Sequence, residues 1–177
     1  MRIGSSVPIC KKAKRDIDII IFGGKIVKVE KRLEELGINL PEVSAPKAKY
    51  VPVRKVGNLL FVSGQLPVKE DGSLYTGKLG REHDVQSGQD AARRCAINLL
   101  ATLKAELGDL DLVKSIVKLQ SFVSCEAGFT EPHIVTNAAS ELLIEAFGES
   151  GWHARTAIGT NQLPLDAAVE IDAIVEV

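Results

Sequence analysis

The end of the chain alternates between apolar and charged side chains, and this pattern constrains the fold more than any other stretch. An alternation with a period of two predicts a β-strand that buries one face and exposes the other. The buried face must then be covered by helices from elsewhere in the chain. Val169, Ile171, Ala173, Val175 and Val177 share one face, and Glu170, Asp172 and Glu176 share the other.

Two long helices are available to cover that face. Residues 84–107 place apolar side chains on one stripe before Gly108. Residues 132–147 form a second helical pattern, which opens near Thr130 and Pro132 and ends before Gly148. Val29 to Leu36 has the spacing of a shorter helix. The predicted strands are 50–56, 59–62, 114–123, 154–160 and 168–177, the first two joined by a Gly57-Asn58 turn. The pattern predicts an α+β fold, a sheet with two helices packed on one face.

The opposite face of the sheet is predicted to mix apolar and charged residues. In 114–123 the alternation places Val117, Leu119 and Val123 on the helix side, so that Ile116 and Phe122 join Ile174 among the charged positions. A contiguous apolar surface usually marks an interface. We therefore expect an oligomer built through the sheets.

Composition excludes several classes of protein. A chain of 177 residues fits one domain with an appended segment, and its 22 Lys and Arg nearly balance its 23 Asp and Glu. Balanced charge argues against a nucleic-acid binder. The three cysteines form no CxxC pair and the three histidines have no metal-ligand spacing, so we expect no metal and a cytoplasmic protein. No export signal or membrane anchor is evident.

The start of the chain differs from the rest. A basic cluster precedes the apolar run Ile17 to Phe22, and Gly23-Gly24 separates that run from a second one. Residues 1–27 are interpreted as an N-terminal extension, either a hairpin or a disordered segment, and residues 28–177 as the domain.

Three stretches carry a family resemblance. They are Val56-Gly-Asn-Leu-Leu-Phe-Val-Ser-Gly-Gln-Leu-Pro67, His153-Ala-Arg-Thr-Ala157 and Leu163-Pro-Leu-Asp-Ala-Ala-Val-Glu-Ile-Asp-Ala-Ile174. In this order and with these separations, they resemble the RidA/YjgF family, once labelled endoribonuclease L-PSP, over roughly residues 28–177. The longer segment 129–151 and the prefix before Tyr50 resemble a less-characterised subgroup.

The resemblance implies a chorismate-mutase-like fold with a mixed β-sheet and a homotrimer with sites in the clefts between subunits. It also implies a small carboxylate substrate and no metal or organic cofactor. Arg155 falls where the family keeps the arginine that grips the substrate carboxylate, a task that suits a planar guanidinium fork. Glu170 matches the glutamate that positions or activates the attacking water. Taken alone, either residue would be read as a solvated surface side chain.

Four further residues match substrate-binding positions of the family. Tyr50 has the offset of the pocket tyrosine, although its flanking residues differ, and a buried hairpin anchor is an alternative interpretation. Ser63 and Gly64 match the Ser-Gly-Gln motif, where glycine admits a ligand close to the main chain. Gly64 alternatively only ends a strand. Ala157 stands where many relatives carry a cysteine, and its backbone amide is the implied contact.

The leading hypothesis is therefore hydrolytic deamination of enamines or imines derived from amino acids, which yields 2-keto acids and ammonia. An alternative is a non-catalytic trimer that binds small carboxylates or has a regulatory role. The ribonuclease activity of the old family label has little physical support, because the charge is balanced and no paired-histidine or metal constellation is visible.

Overall fold

The computed structural model of the protein describes residues 29–43 and 49–177, so the predicted extension 1–27 lies outside the described residues. The described chain forms a five-stranded sheet of order β1-β2-β5-β3-β4 together with α-helices. The elements are α1 (Val29–Glu35), β1 (Val53–Val56), β2 (Leu59–Gln65), α2 (Val85–Leu107), β3 (Ser115–Ser124), α3 (Pro132–Phe147), β4 (Ala154–Thr160) and β5 (Val169–Glu176).

The sheet is mixed, as predicted. β3 and β4 run parallel, and the other neighbouring strands are antiparallel. β5 lies in the middle of the sheet between β2 and β3, and its predicted alternation is confirmed. Val169 and Ile171 are fully buried, whereas Glu170 and Asp172 on the other face are half-buried.

Helices α2 and α3 pack on each other and on the same side of the sheet. The Asp84 side chain caps the start of α2 by accepting from Ser87 N at 2.8 Å, and Gly108 ends the helix with φ of 75°. Cys95 is fully buried in the core. No helix in the described ranges is long and apolar enough to cross a membrane.

The structure contradicts the predicted faces at the start of β3. Ile116 is fully buried and Val117 is 38% exposed, the reverse of the prediction. The register against β5 shifts between Ile116 and Lys118, so the strand carries an irregularity there. An extra residue of this kind inverts the alternation on its N-terminal side, which a strict period of two cannot represent. From Leu119 to Val123 the predicted faces are correct.

The first hairpin is confirmed, with different bounds. Gly57 adopts φ of 61° in the turn, and β2 continues to Gln65, beyond the predicted Val62. β1 begins only at Val53, so Tyr50 precedes the strand and is 57% exposed. The interpretation of Tyr50 as a buried hairpin anchor is wrong, because the register of β1 with β2 begins at Val53 and leaves Tyr50 exposed ahead of the hairpin.

Candidate functional site

Glu170 lies directly over the backbone of Gly64 on the sheet face that faces away from the helices. A Cβ placed on Gly64 would stand 2.0 Å from Glu170 Oε1 and 2.8 Å from its Cδ. No side chain fits in that space unless the carboxylate moves. Gly64 therefore holds the Glu170 side chain against the main chain of β2, which gives this glycine a role beyond ending a strand.

The surroundings of Glu170 favour its neutral form. Partial burial raises the pKa of Glu170, and the neighbouring Asp172 carboxylate raises it further. Burial also raises the pKa of Asp172, an effect that the nearby Lys118 ammonium opposes. A carboxyl group whose pKa is moved towards neutrality can accept and return a proton under physiological conditions.

Arg155 lies on the edge strand β4 and is held by helix α3. Its Nη1 donates to Asn137 Oδ1 and to Ser140 Oγ, each at 3.0 Å, and its Nη2 donates to the His133 carbonyl at 3.2 Å. Burial lowers the pKa of Arg155, yet a guanidinium keeps its charge in proteins. The side chain is thus a fixed cation at the sheet edge, and it remains exposed.

The two predicted catalytic residues do not meet within one chain. Arg155 is in register with Leu119, which is buried beneath the helices, whereas Glu170 is in register with Phe122. Leu119 and Phe122 are three positions apart on a regular stretch of β3, so they point to opposite faces. The hydrogen bonds from Arg155 to α3 agree with this assignment.

The remaining predicted residues divide between the two sides. Ala157 follows Arg155 by two positions and pairs with the buried Ser121, so it shares the helix side. Ser63 Oγ donates to the Val51 carbonyl at 2.9 Å, which ties down the segment before β1. Tyr50 belongs to that same segment, and its side chain is largely exposed.

Sequence reasoning missed the residues that hold Arg155. His133, Asn137 and Ser140 recur at i, i+4 and i+7 on α3, and this spacing places them on one face of the helix. That polar stripe was a usable signal. His153 completes the group, with Nε2 at 3.1 Å from Ser140 Oγ and Nδ1 at 2.7 Å from the Gly151 carbonyl.

One acidic cluster in the described residues has the spacing of a metal site. Glu30, Asp109 and Asp111 lie close together. Glu30 Oε1 already accepts from Lys104 Nζ at 2.6 Å and from Leu110 N at 3.1 Å, and Asp111 Oδ1 accepts from Val29 N at 2.8 Å. These bonds fasten α1 to the end of α2 and account for the cluster.

The face that carries Glu170 is apolar around the carboxylate. Phe61 is in register with Ile174, and Ile158 is in register with Phe122, which pairs with Glu170. Phe61 is 42% exposed and Ile158 is 46% exposed. Exposed apolar surface of this extent usually marks a contact with another molecule. We call this surface, with its residues Phe61, Phe122, Ile158, Glu170 and Ile174, the open face.

Comparisons with known proteins agree with this fold. The model of a family described as YjgF/chorismate mutase-like, putative endoribonuclease, matches residues 30–177. The protein TCP17 of Trypanosoma cruzi is 49% identical over 150 residues, which cover 84% of this chain and 94% of that protein. Atu1372 of Agrobacterium tumefaciens, a crystal structure described as of unknown function, is 50% identical with a TM-score of 0.78, covering 84% of this chain and 93% of its own.

A more distant relative has a named activity. A 2-iminobutanoate/2-iminopropanoate deaminase of Dermatophagoides farinae is 25% identical over 139 residues, which cover 78% of this chain and 93% of that protein. The family match spans nearly all of the described residues, and the mixed sheet with two helices on one face agrees with the fold that the three sequence stretches imply. This chain belongs to the YjgF/RutC/RidA family.

Proposed function

We propose that the protein hydrolyses reactive enamines and imines derived from amino acids, releasing 2-keto acids and ammonia. The observation that carries this proposal is Glu170, a half-buried carboxyl group with a raised pKa that lies over the backbone of Gly64 on the open face. The relative named as an imine deaminase gives the reaction class.

The chemistry needs one cation and one proton carrier. Arg155 holds the substrate carboxylate through paired N–H donors. Water attacks the imine carbon while Glu170 takes one of its protons and returns it to the imine nitrogen, which gives a carbinolamine. Glu170 then moves the carbinolamine hydroxyl proton to the amino nitrogen as the C–N bond breaks and the C=O bond forms, so ammonia leaves and a 2-keto acid remains. Positioning and one proton shuttle supply most of the rate enhancement.

The two residues must come from different subunits for this mechanism to operate. Within one chain Arg155 lies on the helix side of β4, and Glu170 lies on the open face. A second copy that covers the open face would bring Arg155 on its own edge strand β4 towards Glu170 of the first copy. We therefore propose a homotrimer with three sites, each formed by Arg155 and Ala157 of one subunit and Glu170 and Gly64 of the next. Ser63 and Tyr50 border the cleft on the Glu170 side.

The first test measures the loss of imino acids that an amino-acid oxidase generates in situ. Wild type should accelerate this loss, and both Arg155→Ala and Glu170→Gln should reduce kcat/KM by roughly 100-fold or more. A wild type that fails with small, aliphatic and aromatic imines alike would refute the deaminase proposal.

Mixed trimers test the shared site directly. We expect Arg155→Ala and Glu170→Ala each to be nearly inactive alone, whereas a mixed trimer of the two would contain one interface that combines an intact arginine with an intact glutamate. Random mixing of equal amounts should restore about a quarter of the wild-type activity, because three quarters of the trimers are mixed and each holds one good site in three. Failure of refolded mixtures to recover activity, with trimers confirmed by mass, would exclude sites that span subunits.

A non-catalytic carboxylate-binding trimer is the second candidate. The exposed position of Tyr50 favours it. Within one chain, Arg155 is already held by α3 and could bind a carboxylate, whereas Tyr50 does not pack against a pocket. Binding of 2-keto acids without turnover of any imine would support this function.

A further inference from the structure

Arg155 belongs to a chain of hydrogen bonds that has one self-consistent direction. The Gly151 carbonyl can only accept, so His153 Nδ1 at 2.7 Å must carry the proton. Nε2 of the neutral ring then accepts from the Ser140 hydroxyl at 3.1 Å. The Ser140 oxygen in turn accepts from Arg155 Nη1 at 3.0 Å. Every hydroxyl and ring nitrogen in this series is satisfied.

The neutral state of His153 fits its location. Burial lowers the pKa of His153, and the charge of Arg155 lowers it further, whereas the bond to the Gly151 carbonyl opposes both effects. A protonated ring would place a second positive charge beside the Arg155 guanidinium. The chain of bonds is therefore stable at neutral pH.

The same contacts leave one edge of the guanidinium free. Arg has five N–H hydrogens. Nη1 has two acceptors for its two hydrogens, Asn137 Oδ1 and Ser140 Oγ, and one hydrogen of Nη2 goes to the His133 carbonyl. In the described residues, Nε–H and the second Nη2 hydrogen remain. These two nitrogens form one edge of the planar group and suit the two oxygens of a carboxylate.

We infer that Ser140 and His153 are positioning residues, which fix the Arg155 guanidinium so that its Nε–Nη2 edge receives the carboxylate of the substrate. This inference rests on the proposed function for the identity of the ligand. Neither side chain touches the substrate in this arrangement. Ser140 acts through Arg155, and His153 acts through Ser140 by accepting from its hydroxyl, which leaves the lone pairs of the serine oxygen to Arg155.

The tautomer of His153 is the first readout, and it needs no activity. Nitrogen-15 NMR of the side chains distinguishes a ring protonated on Nδ1 from one protonated on Nε2. His83 provides a comparison in the same molecule, because its Nε2 faces the Thr76 carbonyl and its Nδ1 accepts from the Ser87 hydroxyl. We expect the Nδ1–H form at His153 and the Nε2–H form at His83. An Nε2–H ring at His153 would overturn the inference.

Carboxylate binding and kinetics are the second readout. Pyruvate should shift the Arg155 Nε–H resonance of the full-length protein and bind roughly 5- to 30-fold more weakly to Ser140→Ala, with a matching rise in KM and a change in kcat below about threefold. Ser140→Thr keeps the hydroxyl and should restore affinity. Ser87→Ala is the matched control, since it also removes a helix serine that donates to a histidine, and it should leave KM unchanged.

The outcomes separate this inference from the proposed function. Pyruvate binding that weakens in Ser140→Ala supports the inference even if no imine is turned over. Turnover with the same KM in Ser140→Ala and wild type would refute the inference and leave the deaminase proposal standing. Equal weakening in Ser140→Ala and Ser87→Ala would show a general loss of helix packing, and would also refute it.

Discussion

The contact between Gly64 and Glu170 makes a sharp prediction for the substitution Gly64→Ala. The new methyl group would stand 2.0 Å from Glu170 Oε1, 2.8 Å from Cδ and 3.0 Å from Cγ. Three successive atoms lie too close, so the whole end of the side chain must turn away. The φ angle of Gly64 lies outside the left-handed region, so backbone strain adds nothing to the clash.

The magnitude follows from the two ways in which the clash can be relieved. Moving Glu170 into a poorer rotamer costs about 0.5–1.5 kcal/mol, and overpacking costs about 1–3 kcal/mol. Because the carboxylate end is flexible, we expect Gly64→Ala to lower the free energy of unfolding by about 1–2 kcal/mol. In a Glu170→Ala background all three clashing atoms are absent. There the substitution should stabilise the chain by about 0.4–1 kcal/mol, because alanine restricts the unfolded chain.

A double-mutant cycle measures this coupling without any assay of activity. Urea unfolding of wild type, the two single variants and the double variant, all at one protein concentration, gives the four free energies. The coupling energy should lie near 1.5–3 kcal/mol. If Gly64→Ala shifts stability equally in both backgrounds, Glu170 does not lie over Gly64, and the geometry proposed for the proton carrier fails with it.

Two further predictions concern pH and helix capping. Because the folded-state pKa of Glu170 is raised, ionisation of its carboxyl group destabilises the fold as pH rises from about 4.5 through that raised value. Glu170→Gln should therefore be more stable than wild type at pH 7, by under about 1 kcal/mol for a half-buried group, and equally stable at pH 4. Thermal melts in which the difference between the two proteins is independent of pH would contradict this. Asp84→Ala should cost about 1 kcal/mol in urea unfolding, because Ser87 N loses its acceptor, and Asp84→Asn, which keeps one, should cost less; equal losses would show that the cap contributes through charge alone.

The sequence predicted the elements of this fold well because burial in them is regular. The alternation of β5 and the helical stripe of α2 each repeat over many residues, so no single exception obscures them. The irregularity between Ile116 and Lys118 was not predictable from alternation, because a bulge changes which residues face the helices and the residues themselves give no distinct sign of it. The predicted start of β1 at Tyr50 was too early for a related reason, because Tyr50 and Val51 have strand propensity but lie outside the register of β1 with β2.

The candidate site was predictable residue by residue but not in its arrangement. Arg155 and Glu170 were identified by resemblance, but the resemblance did not indicate on which face of the sheet each side chain lies. Their placement on opposite faces depends on the strand register of the assembled sheet. The support of Arg155 by α3 depends on contacts between residues far apart in sequence, such as His133 and Asn137 with β4. A polar stripe on α3 was visible, but only the fold shows that an arginine lies opposite it.

Because the candidate site is divided between two faces of the sheet, the proposed oligomer would be needed to complete it. In the part of the chain that the structure describes, one edge of the fixed Arg155 guanidinium makes no hydrogen bond, and the Glu170 carboxyl group lies in apolar surroundings on the other side of the sheet. The open face leaves Phe61 and Ile158 in water, and covering them would remove further solvent from Glu170 and raise its pKa again. Assembly would thus stabilise the protein and tune its proton carrier through the same buried surface. It follows that a charge placed at Ile158 should impair both assembly and catalysis, whereas loss of Ser140 should impair only the binding of the carboxylate.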